Sequence, residues 1–230
     1  MERRQANWQA WQRQLSDERE KRTAQQRSIP GSPIPVDLAD ASMKALRAKS
    51  RLVDGAVDPE KLPAIRYAEE LRETGEIVLP DGRKKKSLFL FGKPGMGKTG
   101  CLLPIYFNAE NKGVDVYFVS FVHLMRMVRD GYRPKPGEPT ASEIVNRACD
   151  AELLFIDDLG HTWEEQIKSH SVGIADDILR WRHSIDAPML ITSNLEPNLL
   201  AQQLTAAVYQ RIAQRCVVCK VGGKLLRPLN

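Results

Sequence analysis

Residues 92–99 read Gly-Lys-Pro-Gly-Met-Gly-Lys-Thr, which has the spacing of a phosphate-binding loop, G-x-x-x-x-G-K-T. Gly92, Gly95 and Gly97 let the backbone curl until successive N–H groups face one anion. Lys93, Pro94, Met96 and Gly100 complete the run around that anion. Lys98 brings positive charge to the β- and γ-phosphates, and Thr99 offers a hydroxyl to Mg²⁺. A helix beginning here aims the positive end of its dipole at the same place. These residues predict a site for a nucleoside triphosphate.

Two further groups carry chemistry. Leu153-Leu-Phe-Ile-Asp157-Asp158-Leu-Gly160 is an apolar run ending in paired carboxylates. At the end of a strand beside the phosphates, Asp157 is placed to hold Mg²⁺ through its water shell, and Asp158 to polarise an attacking water. Ile191-Thr192-Ser193-Asn194 closes another apolar run with small polar residues. Asn194 there can hydrogen-bond the γ-phosphate or the attacking water. Alone, Thr-Ser-Asn is an ordinary strand-ending turn; its meaning comes from its order after the phosphate loop and the paired acids.

These residues need strands to carry them. Short apolar runs at Ser87–Phe91, Val114–Val119, Leu153–Ile156, Pro188–Thr192 and Cys216–Val221 predict five strands. Helical stretches fall between them: one after the phosphate loop, then His123–Val128, Ser142–Asp150, Ile174–Arg182 and Leu204–Arg215. Pro134, Pro136, Gly137 and Pro139 mark a loop, and Pro104 predicts a kink in the helix after the phosphate loop. Fully apolar strands alternating with helices predict an α/β fold with a parallel sheet covered on both faces.

The chain has 230 residues, 42% of them hydrophobic, and a net charge of +5. That length suits one α/β domain and an appendage. The mild positive charge permits contact with nucleic acid without requiring it. No apolar run reaches the roughly 18–20 residues that cross a bilayer, so no membrane association is expected. The start, Met1-Glu2-Arg3-Arg4-Gln5, leads into polar sequence, which predicts a cytoplasmic protein. Cys216-Val-Val-Cys219 has the spacing of half a zinc site, but no second Cys/His pair lies nearby, and the intervening valines read as a core strand.

Residues 1–28 are polar and charged, with Trp8, Trp11 and Leu15 on one helical face. That stripe fits docking onto a partner or onto the chain's own core. Ser28–Pro35 reads as an extended linker, residues 37–50 as a small helix, and Asp58–Leu71 as a longer one. Lys84-Lys85-Lys86 reads as a solvated turn. Residues 1–55 are expected to form an N-terminal helical and linker region that binds a partner, and residues 56–230 the nucleotide-binding domain.

Together, Gly92–Thr99, Leu153–Gly160 and Ile191–Leu195 resemble the AAA+ ATPases of the DnaC/IstB type, the bacterial and phage helicase loaders and the ATPase subunits of certain transposons. Val116–Arg129 and Ala187–Leu195 share the likeness, which extends over roughly residues 58–230. The resemblance implies a P-loop AAA+ core of five parallel strands, without a C-terminal lid and preceded by a small helical N-terminal region. It implies ATP and Mg²⁺ as ligands, with Asp157 and Asp158 as the Walker B pair and Asn194 as sensor 1. In Tyr209-Gln-Arg211-Ile-Ala-Gln-Arg215 it makes Arg211 the arginine finger and Arg215 the second candidate. Gly100-Cys101-Leu102 departs from the His-Leu-Ala-like run common after Lys-Thr, and Arg227 acquires no role.

The resemblance further implies ATP hydrolysis at interfaces within a self-oligomer, a hexameric replicative helicase as partner, and delivery of that helicase to single-stranded DNA. The alternatives are an IstB-like transposition ATPase and a nucleotide-binding adaptor without significant hydrolysis. The intact Lys98, Thr99, Asp157 and Asp158 speak against the adaptor.

Overall fold

A computed structural model describes residues 29–39, 41–52, 56–160 and 168–226. The sheet that carries the site has five strands: β3 (Ser87–Phe91), β4 (Val116–Ser120), β5 (Leu153–Asp157), β6 (Met189–Ser193) and β7 (Cys216–Lys220). Their order is β4-β5-β6-β3-β7, and every pairing is parallel. The five strands lie where the apolar runs predict them, displaced by one or two residues at most ends.

The apolar runs are unbroken because helices cover both faces. Leu88 and Leu90 of β3 point into one core with Leu102, Leu103, Phe155 and Leu190. Phe89 points the other way, among Val119, Leu154, Ile156 and Ile191. The first layer is built from α1 (Met43–Lys49), α2 (Leu62–Thr74) and α3 (Lys98–Asn111). The second contains α4 (Phe121–Asp130), α5 (Ala141–Asp150), α6 (Lys168–Ser184), α7 (Pro197–Leu204) and α8 (Ala206–Arg215). Pro104 lies inside α3 and is itself buried.

Local features differ from the sequence reading: the helix read over residues 37–50 is a short 3-10 turn, Val36–Leu38, and then α1, and the helix read from Ile174 begins at Lys168. Lys84–Lys85 is not a free turn but a strand, β2, paired antiparallel with β1 (Ile77–Val78). The buried Ile77 anchors this hairpin, while its lysines stay at the surface. The stretch Leu204–Arg215 is two helices broken at Thr205, whose φ of 125° is foreign to a helix. Thr205 then caps α8 by accepting a hydrogen bond from Val208 N. Finally, the helix expected from Asp58 begins at Leu62, with Pro63 in its first turn where a missing N–H costs nothing.

Residues 29–52 run over this framework. Ser32 N donates to Phe118 O at 2.9 Å, on the edge strand β4, and Ile29 is buried in the second layer's core. Met43 and Leu46 seat α1 on the first layer, and Arg47 and Glu69 join α1 to α2. Trp8, Trp11 and Leu15 lie outside the described residues, as does Arg227.

Cys216 and Cys219 are buried in opposite cores. Three residues apart on a strand, their side chains leave opposite faces and cannot converge on one metal. Among the described residues no group of three or more His, Cys, Asp or Glu side chains converges on a metal site, and no helix is long and apolar enough to cross a membrane.

Candidate functional site: a phosphate loop with paired acids

β3 sits between β6 and β7, and its chain departs through α3 to β4 at the far edge. The chain from β6 crosses to the other side of β3 to form β7. This reversal opens a crevice beyond the carboxyl ends of β3 and β6, where parallel sheets bind ligands. The phosphate loop leaves β3 there. Phe91 is in register with Ser193, so Asn194 follows directly beside the loop. Ile156 is in register with Ile191, which sets Asp157 against Thr192.

The side chains close on one another. Lys98, only 5% exposed, donates to Gly92 O at 2.9 Å, to Lys93 O at 3.0 Å and to Asn194 Oδ1 at 2.7 Å. Thr99 Oγ1 donates to Asp157 Oδ1 at 2.9 Å, and Thr192 Oγ1 donates to the same oxygen at 2.6 Å. Asn194 Nδ2 donates to Asp158 Oδ1 at 3.0 Å, while Asp158 N donates to Thr192 Oγ1 at 2.9 Å. Asp158 holds a φ of 54°, a left-handed conformation that Asp tolerates better than most residues. Gly97 has a φ of 93°, and a Cβ there would meet Leu226 Cδ1 at 2.4 Å, so only glycine fits.

Burial raises the Asp157 carboxyl above its usual range, although the Thr192 and Thr99 hydroxyls oppose that shift. Burial likewise lowers the Lys98 ammonium, against the pull of Asp158 and Asp157. An anion before Lys98 and a cation before Asp157 would each favour the charged form. The Thr99 hydroxyl and the Asp157 carboxylate are hard oxygen donors, the set that suits Mg²⁺, which binds through few protein oxygens and keeps several waters. Both hydroxyls use Oδ1, so the two bonds leave Asp157 Oδ2 to such a shell.

Beside the loop lies a cavity of about 370 Å³. Its lining combines Lys98, Thr99, Asp158 and Asn194 with a second wall of Leu38, Ser42, Ala45 and Lys49 from the N-terminal region and of Leu226. Sequence reasoning missed this second wall, because α1 has no motif and meets the loop only in the fold. Thr192 was also legible only as part of a turn; its bond to Asp157 depends on strand register.

Arg211 lies elsewhere. It pairs with Asp176 of α6, and it does not line the cavity. Arg215 binds Asp186 and His183 O at the end of the same helix. The structure therefore gathers Lys98, Thr99, Asp157, Asp158 and Asn194 and leaves the two arginines apart, on α8.

A parallel sheet with a phosphate loop after one inner strand, paired acids at the end of a second and an asparagine at the end of a third defines a P-loop nucleotide-binding protein of the AAA+ type. Residues 81–229 match the family of IstB-like ATP binding proteins, and the chain belongs to that family. It is 25% identical over 153 residues to the replicative helicase loader DnaI of Bacillus subtilis (strain 168), a match covering 64% of this chain and 44% of that one. The chain thus spans less than half the length of this curated relative. Among solved structures, the crystal structure of DnaI is similar with a TM-score of 0.63 at 23% identity, covering 88% of this chain and 99% of that one. The DnaC helicase loader gives a TM-score of 0.57 at 18% identity, covering 82% of this chain and all of that one. AMPPCP-bound DnaA from Aquifex aeolicus also gives 0.57 at 18% identity, covering 75% of this chain and 50% of that one. At these identities the likeness establishes the fold.

Proposed function

We propose that this chain binds ATP with Mg²⁺ in the crevice and acts as an ATP-dependent helicase loader, delivering a replicative helicase to single-stranded DNA. One observation carries the nucleotide part. A single hydrogen-bonded group joins the phosphate-loop Lys98 and Thr99 to Asp157, Asp158 and Asn194 from two other strands. Family membership and the similarity to a helicase loader support the rest.

In this reading the N–H groups of residues 92–100 bind the phosphates, and Lys98 exchanges its carbonyl partners for phosphate oxygens. The adenine occupies the side of the cavity walled by Leu38 and Ala45. Thr99 and Asp157 hold Mg²⁺, whose charge, when bound, stabilises the phosphate oxygens. Asp158 orients and polarises the attacking water, and Asn194 links that carboxylate to Lys98. Arg211 is offered from a neighbouring subunit, where a guanidinium stabilises charge spreading over the transferred phosphoryl group. Residues 1–55 engage the helicase. The IstB-like family match also fits a transposition ATPase with the same ATP site.

Titration calorimetry with ATP-Mg tests the site: the wild-type chain binds and Lys98→Ala does not. Equal binding by the two would remove the assignment. Capture from the native host with residues 1–55 as bait separates the partners, since a hexameric helicase supports loading and a transposase the other reading.

A further inference from the structure

The phosphate loop is held from behind by a second, buried cation. Lys61 stands at the start of α2 and is 1% exposed. Its ammonium donates to Met96 O at 3.2 Å and to Gly222 O at 2.6 Å. Met96 is inside the loop, and Gly222 is two residues beyond β7. The segment after β7 adds a second grip, because Leu226 N donates to Gly95 O at 2.9 Å. Asp58 secures that segment by accepting from Lys224 N at 2.7 Å, and it also accepts from Glu60 N at 3.0 Å. The approach is close: a Cβ on Gly223, whose φ is 79°, would fall 2.1 Å from the Asp58 carboxylate.

Peptide planarity turns these contacts into an orientation. In a trans peptide the C=O and the next N–H point in opposite directions. Fixing Gly95 O toward Leu226 therefore directs Met96 N–H to the other side, and fixing Met96 O toward Lys61 does the same for Gly97 N–H. Gly95 and Gly97 line the cavity. A buried ammonium is costly to keep where an apolar side chain would fill the space. Lys61 has two backbone carbonyls to satisfy, one of them in the loop that must present its N–H groups to an anion.

We infer that Lys61, together with the 222–226 segment, is a positioning element for the phosphate loop, setting the Met96 and Gly97 N–H groups toward the triphosphate. This rests on the ATP-binding reading above. Lys61 touches no ligand; it acts through the loop.

The test is titration calorimetry of the full chain with ATP-Mg, well below the melting temperature of each variant. Lys61→Met should weaken binding at least about tenfold, the scale of a charge-assisted hydrogen bond. Lys61→Arg, which keeps a cationic donor, should recover most of that loss. In NMR spectra, the Met96 and Gly97 amide resonances should be displaced in ligand-free Lys61→Met and return toward wild-type positions in Lys61→Arg. Should Lys61→Met fail to fold, the comparison moves to Leu226. Leu226→Pro deletes the N–H that grips Gly95 O and should bind more weakly than Leu226→Ala, which keeps it. Wild-type affinity in folded Lys61→Met, or equal affinities in the two Leu226 variants, would overturn the brace alone. Absence of ATP binding by the wild-type chain would overturn the nucleotide reading and the brace with it.

Discussion

In the proposed function Asp157 holds a cation from a position where its own charge is disfavoured. Its carboxyl is raised by burial, so in the folded chain it takes up a proton at higher pH than in the unfolded chain. The folded state then binds more protons between the two pKa values, and stability falls as pH rises through that window. Above the folded value the cost is fully present; it fades as pH drops toward the ordinary carboxyl range. Asp157→Asn keeps an oxygen for the Thr99 and Thr192 hydroxyls and removes the charge. Without nucleotide it should melt higher than wild type at pH 7, and the gap should close toward pH 4, as read by thermal scans across that range. A second residue-scale expectation concerns Arg211, which pairs with Asp176 within its own chain. If it serves a neighbour's site, that pair must open on assembly. Arg211→Ala should leave ATP affinity unchanged and lower hydrolysis by the assembled protein on the order of 10³-fold, the low end for a lost arginine finger. Unchanged turnover would place the finger elsewhere.

Strand β3 and the loop that follows it are legible in the sequence because they are locally determined. An apolar run covered on both faces cannot alternate, and the loop's glycines and Lys-Thr have fixed positions. The acids on β5 and the asparagine on β6 are legible for the same reason, each ending an apolar run. What escapes is whatever depends on distant packing. Nothing around Thr205 signals a helix break: there is no glycine or proline there, only a residue held at positive φ. The β1–β2 hairpin is too short for its pattern to outweigh three lysines. The wall built by α1 and the preceding Leu38 has no signature, since Ala45 and Leu38 are ordinary residues until they come to lie against α3. That wall makes a distinct prediction. Ala45→Trp would fill that side of the cavity and weaken ATP at least about tenfold, some 1.4 kcal/mol, while inorganic tripolyphosphate binds as to wild type. Cys216 and Cys219 were legible as core and behave as such, and Cys101 and Cys149 prove buried as well: burial pushes Cys101, Cys149 and Cys216 up to about 12 and Cys219 to about 11. Thiol reagents at pH 7 should leave all four unmodified in the native chain and label all four after unfolding.

At the scale of the whole molecule, the N-terminal region has two different relations to the ATP site. Residues 37–39 and 41–49 contribute to the cavity wall, tied down by Met43, Leu46 and the Arg47–Glu69 pair. Residues 29–32 lie along β4, at the sheet edge farthest from β7, through Ser32 and the buried Ile29. A cut after residue 28 removes neither attachment, whereas a cut after residue 52 removes both and opens that side of the cavity to solvent. The two truncations should therefore separate partner binding from nucleotide binding. The chain starting at residue 29 should hold ATP-Mg within about twofold of wild type, well under the roughly 1.4 kcal/mol of a tenfold change, and should lose the helicase in a pull-down if Trp8 and Trp11 are its anchors. The chain starting at residue 53 should lose ATP affinity and melt lower, because Met43 and Leu46 no longer cover α2 and α3. Intact ATP binding in that shorter chain would mean that the cavity beside α1 is not where the base sits. Helicase capture by the chain starting at residue 29 would move the partner surface off the tryptophan stripe and onto the described domain.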